Sequence, residues 1–268
     1  MRRPRRRRRL LPAPVHPRPP LPPAHHRQHR RPRGRVRGRP RHRPGGTSVI
    51  PFQGPVLVTG TDTGVGKTVT AAALAAALIR QGRSVDVIKI AQTGDDDDAA
   101  EITRLSGAPA RALASYPDPL APFAAARRSG LPLLKLAEAV DAAFDSPAEV
   151  VLLEGAGGLL VQLGQDGWTA RDLAVELGCP AVVVARAGLG TLNHTALTLE
   201  ALARRSVDAA VVLGAWPLNP GIAEYENLID LPGPRLGWIP DGAAALAPEV
   251  FRLAAGEWFD LPEPDPRP

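Results

Sequence analysis

Residues 58–68 read V-T-G-T-D-T-G-V-G-K-T, and how this stretch is read decides the fold. A phosphate-binding loop follows the template G-x-x-x-x-G-K-[ST], with a glycine six positions before the lysine. Counting back from Lys67, that position is Thr61, and the glycine stands one residue further upstream, at Gly60. The surroundings nevertheless fit. An apolar run, P-V-L-V-T at 55–59, precedes the loop; Gly60, Gly64 and Gly66 punctuate it; an Ala/Leu-rich stretch from Val69 to Gln81 follows. Strand, glycine-rich turn and helix N-terminus together let backbone N–H groups wrap a polyphosphate, so the expected nucleotide contacts are Thr63, Gly64, Val65, Gly66, Lys67 and Thr68. Lys67 would neutralise the terminal phosphates, and the Thr68 hydroxyl would take a place on Mg²⁺. A plain glycine-rich turn with an exposed lysine does not account for strand, loop, G-K-T and helix occurring together.

Apolar runs like the one before the loop recur at 84–89 (S-V-D-V-I-K), 148–154 (A-E-V-V-L-L-E), 181–185 (A-V-V-V-A), 209–216 (A-A-V-V-L-G-A-W) and 236–239 (L-G-W-I). They are continuous and not alternating, which suits strands buried on both faces of a parallel sheet. Helical patterns lie between them: Val69–Gln81 closed by Gly82, Leu131–Phe144, Arg171–Leu177 closed by Gly178, and Leu192–Arg205. The alternation predicts an α/β, three-layer P-loop NTPase-like domain, a mainly parallel β-sheet flanked by helices. Ligands in such folds sit beyond the carboxyl ends of the strands.

The formal charge of +6 averages two unlike segments. Residues 1–47 hold 17 Arg, five of the six His and no acid, leaving 16 Lys and Arg against 27 Asp and Glu in residues 48–268, a balance of about −11. The first segment is Pro-broken and almost free of large apolar side chains, so it is read as a disordered extension to a domain at 48–268. It is either upstream sequence joined by an early start, with a true start near Val49, or an arm for an anionic surface. The acidic domain favours the former and argues against nucleic acid. Leu10-Leu11 followed by Pro12 is no signal-peptide core, and no run approaches the roughly 20 apolar residues of a membrane span. With one cysteine, Cys179, in an apolar context, the domain reads as a cytoplasmic protein without a disulfide framework.

Of 33 basic residues only Lys67, Lys89 and Lys135 are lysine. Against so strong an arginine bias a retained lysine invites a chemical reason, since a compact ammonium fits a tight phosphate loop where a guanidinium does not. Lys135, on an Ala/Leu-rich stretch, reads as a surface residue. Lys89 is expected to end the second strand and point into the ligand crevice, with Thr93 on the loop after it. In the acidic run Asp95–Asp98, Asp98 is best placed to join Mg²⁺; the plainer alternative is a solvated helix start. V-V-L-L-E presents Glu154 as a Walker-B-type carboxylate before three close glycines, although it could instead cap the next segment. Thr68, Asp98 and Glu154 would supply three hard oxygen ligands and leave the rest to water and phosphate. His194, at the start of the fourth helix, is either a general base or a locally bonded helix residue. A His/Cys metal cluster is excluded in a domain with one of each.

In order along Pro55–Ile239, the motifs T-G-T-D-T-G-V-G-K-T, K-I-A-Q-T-G, D-A-A-E-I, Y-P-D-P-L-A-P, L-E-G-A-G-G-L-L-V, L-G-T-L-N-H-T-A-L-T-L-E-A-L and G-W-I-P resemble the dethiobiotin synthetases, ATP-dependent cyclo-ligases of biotin biosynthesis. That family shares the longer loop spacing; it usually has K-P-V where this chain has Lys89-Ile90-Ala91. The resemblance implies that 7,8-diaminononanoate, CO₂ and MgATP give dethiobiotin, ADP and phosphate through a carbamate and a carbamic-phosphoric anhydride. It implies that Lys67, Lys89 and Thr93 are catalytic, with Lys89 and Thr93 also on the carbamate side, and that Thr68, Asp98 and Glu154 carry the metal. It further implies a homodimer, with Gly157, Gly190, Thr191, Leu192 and Asn193 towards the substrate and the last four near its carboxylate across the interface. Adenine would meet Trp216, Pro217 and Pro240, although Trp216 could equally be core.

Two rivals share the loop. Partition- and septum-site-type switch ATPases place a signature lysine five residues before the invariant one, where this chain has Asp62. Cobyrinate-amidation-type synthetases need an attached glutaminase with a nucleophilic cysteine, and this chain has neither the length nor a suitable cysteine.

Overall fold

The structure, a computed structural model, describes residues 50–262; the expected extension at 1–47 lies outside the described residues. Seven strands form one parallel sheet in the order β3-β2-β4-β1-β5-β6-β7. They are β1 (Gly54–Gly60), β2 (Val85–Thr93), β3 (Ala110–Tyr116), β4 (Val150–Glu154), β5 (Ala181–Ala185), β6 (Ala209–Trp216) and β7 (Arg235–Pro240). The helices are α1 (Lys67–Arg80), α2 (Asp98–Ser106), α3 (Pro122–Ser129), α4 (Leu136–Phe144), α5 (Ala170–Leu177), α6 (Thr191–Ala203), α7 (Ile222–Asp230) and α8 (Pro248–Ala255).

Strand side chains alternate between the two faces. Val56, Val58, Val150, Leu152, Val182 and Val184 join one core with Leu74 and Leu78 of α1, Ile102 of α2 and Phe251 of α8. Leu57, Val151, Leu153 and Val183 join the other with Ala139 of α4, Leu173 of α5 and Leu202 of α6. Burial on both faces is why the runs read as continuous hydrophobics, each fully buried Leu or Val stabilising by about 1.5–3 kcal/mol.

The expected architecture is present, with corrections. The helix expected over Leu131–Phe144 begins only at Leu136: Lys135 is extended as its N-cap, and its N–H donates to Glu138 Oε2 at 2.8 Å. The second strand does not end at Lys89 but runs on to Thr93, pairing there with Tyr116. Its partner β3 is an additional edge strand; A-R-A-L-A-S-Y is alanine-rich and half-exposed, so it lacks the apolar run that marked the others. Helices α3, α7 and α8 are likewise additions to the sequence reading.

At Gly214, β6 passes directly beneath the phosphate loop. A Cβ there would overlap the Val65 carbonyl oxygen, and one on Gly66, at φ 96°, would stand 2.7 Å from the Gly214 carbonyl oxygen. Two glycines therefore let two backbones touch. No helix among the described residues is long and apolar enough to cross a membrane. Gly214→Ala is expected to lose roughly 1–3 kcal/mol of stability through forced backbone displacement, seen as a fall of several degrees in Tm, together with weakened nucleotide binding.

Candidate active site

The site grows from the loop between β1 and α1. Gly66 takes the left-handed N-cap position of α1 without a side-chain cap, so the helix's first N–H groups are left facing the loop. Lys67 is 7% exposed, and its Nζ donates to the Asp62 carbonyl at 2.9 Å. Burial lowers its pKa from the ordinary lysine value, with nearby Glu154 opposing.

Strand alternation then decides which side chains join it. Lys89 follows Val85 and Val87 on the α1 face of β2, and Glu154 follows Val150 and Leu152 on the same face of β4. The two strands pair with Lys89 directly opposite Glu154. Lys89 Nζ donates to Glu154 Oε1 at 2.7 Å and pairs with Asp98 Oδ2. Thr68 Oγ1 lies 2.9 Å from both Glu154 Oε1 and Asp98 Oδ1. Within the acidic run, Asp97 spends its carboxylate capping α2 through the Ala100 N–H, while Asp98, the first helical residue, turns inward. The four residues that sequence reasoning selected as Lys89, Asp98, Glu154 and Thr68 thus meet in one cluster.

Their electrostatics follow from burial. Loss of water works against the Lys89 ammonium, but Glu154 and Asp98 outweigh it and hold its pKa above the ordinary value. Burial likewise disfavours the charged form of Asp98, yet Lys89 and the hydrogen bonds it receives keep its carboxyl below the usual range. Glu154 has no exposed surface, and desolvation pushes its pKa up.

The donor set suits a hard cation. One hydroxyl has one proton, yet Thr68 Oγ1 faces two carboxylate oxygens, and Glu154 Oε2 is buried without a hydrogen-bond partner. An ion of Mg²⁺ type, which takes one or two carboxylates and fills its remaining positions with water and phosphate, would use that surplus of oxygen acceptors.

Of the other expected site residues, Thr93 is half-buried at the end of β2, four residues beyond Lys89, and Gly157 is half-buried in the turn after β4, three residues beyond Glu154. Gly190 is the left-handed N-cap of α6; Thr191 is fully buried, Leu192 half-buried, and Asn193 and His194 are exposed. At the far end Trp216 stands opposite Pro240 in the β6/β7 register, with Pro217 beside it. The Trp216 indole is buried edge-on to Tyr225, ring centroids 6.2 Å apart, so it packs in the core and leaves the two prolines more open. Two residues were missed. Gly214 left a signal, an isolated glycine inside an apolar run. Arg186, whose guanidinium bonds Asp62 at 2.9 Å, left none.

Lys89→Met removes the charge facing buried Glu154 and should cost about 3 kcal/mol at pH 8. Burial already raises the Glu154 pKa and Lys89 opposes that rise, so the variant's fold binds the Glu154 proton more tightly than the wild-type fold does and recovers stability relative to it as pH falls. Urea unfolding in EDTA at pH 8 and pH 5.5 should therefore show a shrinking deficit; a constant one would place the compensation for Glu154 elsewhere.

The family described as an AAA domain matches residues 55–232. The "ATP-dependent dethiobiotin synthetase BioD" of Rhodococcus jostii (strain RHA1) is 54% identical over 217 residues, covering 76% of this chain and 94% of that protein. The protein of the same name from Mycobacteroides abscessus is 54% identical over 213 residues, with 76% and 95% covered. Among solved structures, the signal recognition particle receptor FtsY of Elizabethkingia anophelis in complex with GDP aligns at 16% identity and a TM-score of 0.48, over 80% of this chain and 66% of that one, and adds nothing to the assignment. With 54% identity over nearly the whole length of such relatives, and with Thr68, Lys89, Asp98 and Glu154 gathered in one cluster, the chain belongs to the ATP-dependent dethiobiotin synthetase family.

Proposed function

We propose that the protein carboxylates 7,8-diaminononanoate with CO₂ and closes the ring to dethiobiotin at the expense of ATP. The observation that carries this reading is the second lysine. A nucleotide switch needs a phosphate loop; this site adds Lys89, buried between Glu154 and Asp98 and held in its charged form beside that loop. A fixed, desolvated ammonium suits a reaction in which negative charge moves from a carbamate to a phosphoryl group.

The chemistry needs positioned charge and no covalent nucleophile. A substrate amine adds to CO₂ and loses a proton, giving a carbamate. A carbamate oxygen attacks the γ-phosphorus and ADP leaves. The second amine then attacks the carbonyl carbon, phosphate departs, and a five-membered urea remains. Backbone N–H groups of Gly64–Lys67 with Thr63 hold the phosphates. Lys67, released from the Asp62 carbonyl, and Lys89 stabilise the oxygens between carbamate and γ-phosphate, with Thr93 and Gly157 lining the carbamate side. Thr68, Asp98 and Glu154 would hold Mg²⁺, which supplies neutralisation of phosphate charge. Pro217 and Pro240, with the backbone at Trp216, border the base.

The N-terminus of α6, at Gly190–Asn193, suits the substrate carboxylate. Leu189 and Leu197 stand 87% and 57% exposed beside it, which supports a homodimer closing over this end. The reading implies a cytoplasmic enzyme of small-molecule metabolism, and the acidic balance of residues 48–268 gives nucleic acid no footing.

With purified enzyme, label from ¹³C-bicarbonate should enter dethiobiotin only when the diamine and MgATP are both present. ATP hydrolysis indifferent to the diamine would make the protein a switch ATPase instead. Lys89→Arg keeps the charge but not the compact head, and should cut turnover by about 100-fold while nucleotide still binds; wild-type turnover would remove Lys89 from the chemistry.

A further inference from the structure

One residue of the phosphate loop bonds in three directions. The Asp62 carbonyl accepts from Lys67 Nζ at 2.9 Å, its Oδ1 accepts from the Thr63 N–H at 2.7 Å, and its Oδ2 accepts from Arg186 Nη2 at 2.9 Å. Arg186 is the first residue beyond β5, a strand already tied to the loop because the Thr61 N–H donates to the Val184 carbonyl at 3.0 Å. Both partners are about half-exposed, at 47% and 52%. An exposed pair contributes little to stability. Its location gives it another consequence. Asp62 is the only acid in residues 60–68, and it sits where a polyanion is to be received.

We propose that Arg186 is a positioning residue for the nucleotide: it neutralises Asp62, so that Asp62 can shape the loop and hold Lys67 until the phosphates arrive, while its carboxylate does not repel them. Arg186 acts through Asp62 and touches no phosphate itself. The inference rests on the reading of Gly64–Lys67 as the polyphosphate cradle.

Arg186→Ala should raise the KM for ATP and the Kd for MgADP about fivefold and leave kcat and the KM for the diamine within about twofold. Because the cause is repulsion between exposed charges, the defect should be largest at low ionic strength and shrink in about 0.5 M KCl. Asp62→Asn in the Arg186→Ala background should bring the Kd back towards wild type, and Arg186→Lys should retain most of the affinity and keep the test independent of any folding defect in the alanine variant. The proposal is overturned if Arg186→Ala binds MgADP as wild type does, or if Asp62→Asn fails to restore it, the result expected of an arginine that contacts phosphate directly. A wild-type protein that binds no MgADP would overturn the cradle reading itself, a distinct result.

Discussion

Glu154 is a carboxylate with no surface in water, and a buried charge persists only where opposite charge and hydrogen-bond donors surround it. The rest of the site is arranged around that requirement. Lys89 reaches it from the adjacent strand and Thr68 from the first turn of α1, while Asp98, from the first turn of α2, pairs with the same ammonium and, as a like charge, works against the Glu154 carboxylate. Each of these elements is held by the apolar core on the α1 face of the sheet, so the charged cluster is the polar end of that core. The arrangement is not self-sufficient. Glu154 Oε2 has no partner, and one hydroxyl proton serves two carboxylates, a deficit that the proposed metal would relieve.

The phosphate loop depends on a second constraint, the near contact of two backbones. Gly66 turns the chain into α1 with a positive φ, and Gly214 removes the side chain that would hold β6 away. Two residues beyond Gly214, the same strand ends at Trp216 beside Pro240. The place where phosphates are proposed to bind and the place proposed for the base are therefore fixed to one another through a single strand. Asp62 adds a third tether, from the loop to the segment leading into α6.

Much of this was legible because the physics is local. Runs buried on both faces announce parallel strands, and a glycine-rich turn between strand and helix announces an anion site. Thr68, Lys89 and Glu154 stood out by residue type against their immediate neighbours, and Asp98 by its place at the helical end of an acidic run. What was misread had weaker local signals. The strand A-R-A-L-A-S-Y is too alanine-rich to show a hydrophobic period, and β2 continues past Lys89 through I-A-Q-T, where the expected strand end came too early. Trp216 was open between base contact and core; the structure packs its ring in a core cluster edge-on to Tyr225 of α7, a contact between residues with no sequence cue linking them.

The sequence by itself determined the fold class, the phosphate loop with its longer spacing, and the residue types of the site, because each follows from periodicity or from chemistry within a few neighbours. Only the tertiary structure decided that Lys89 and Glu154 lie in register, that Asp98 and not Asp97 turns inward, that Gly214 underlies the loop, and that Arg186 answers Asp62. These are meetings of side chains or backbones far apart in the chain, set by strand order and by which face each residue occupies. Strand order is fixed by how the whole set of helices covers the sheet, and no single stretch of sequence carries that information.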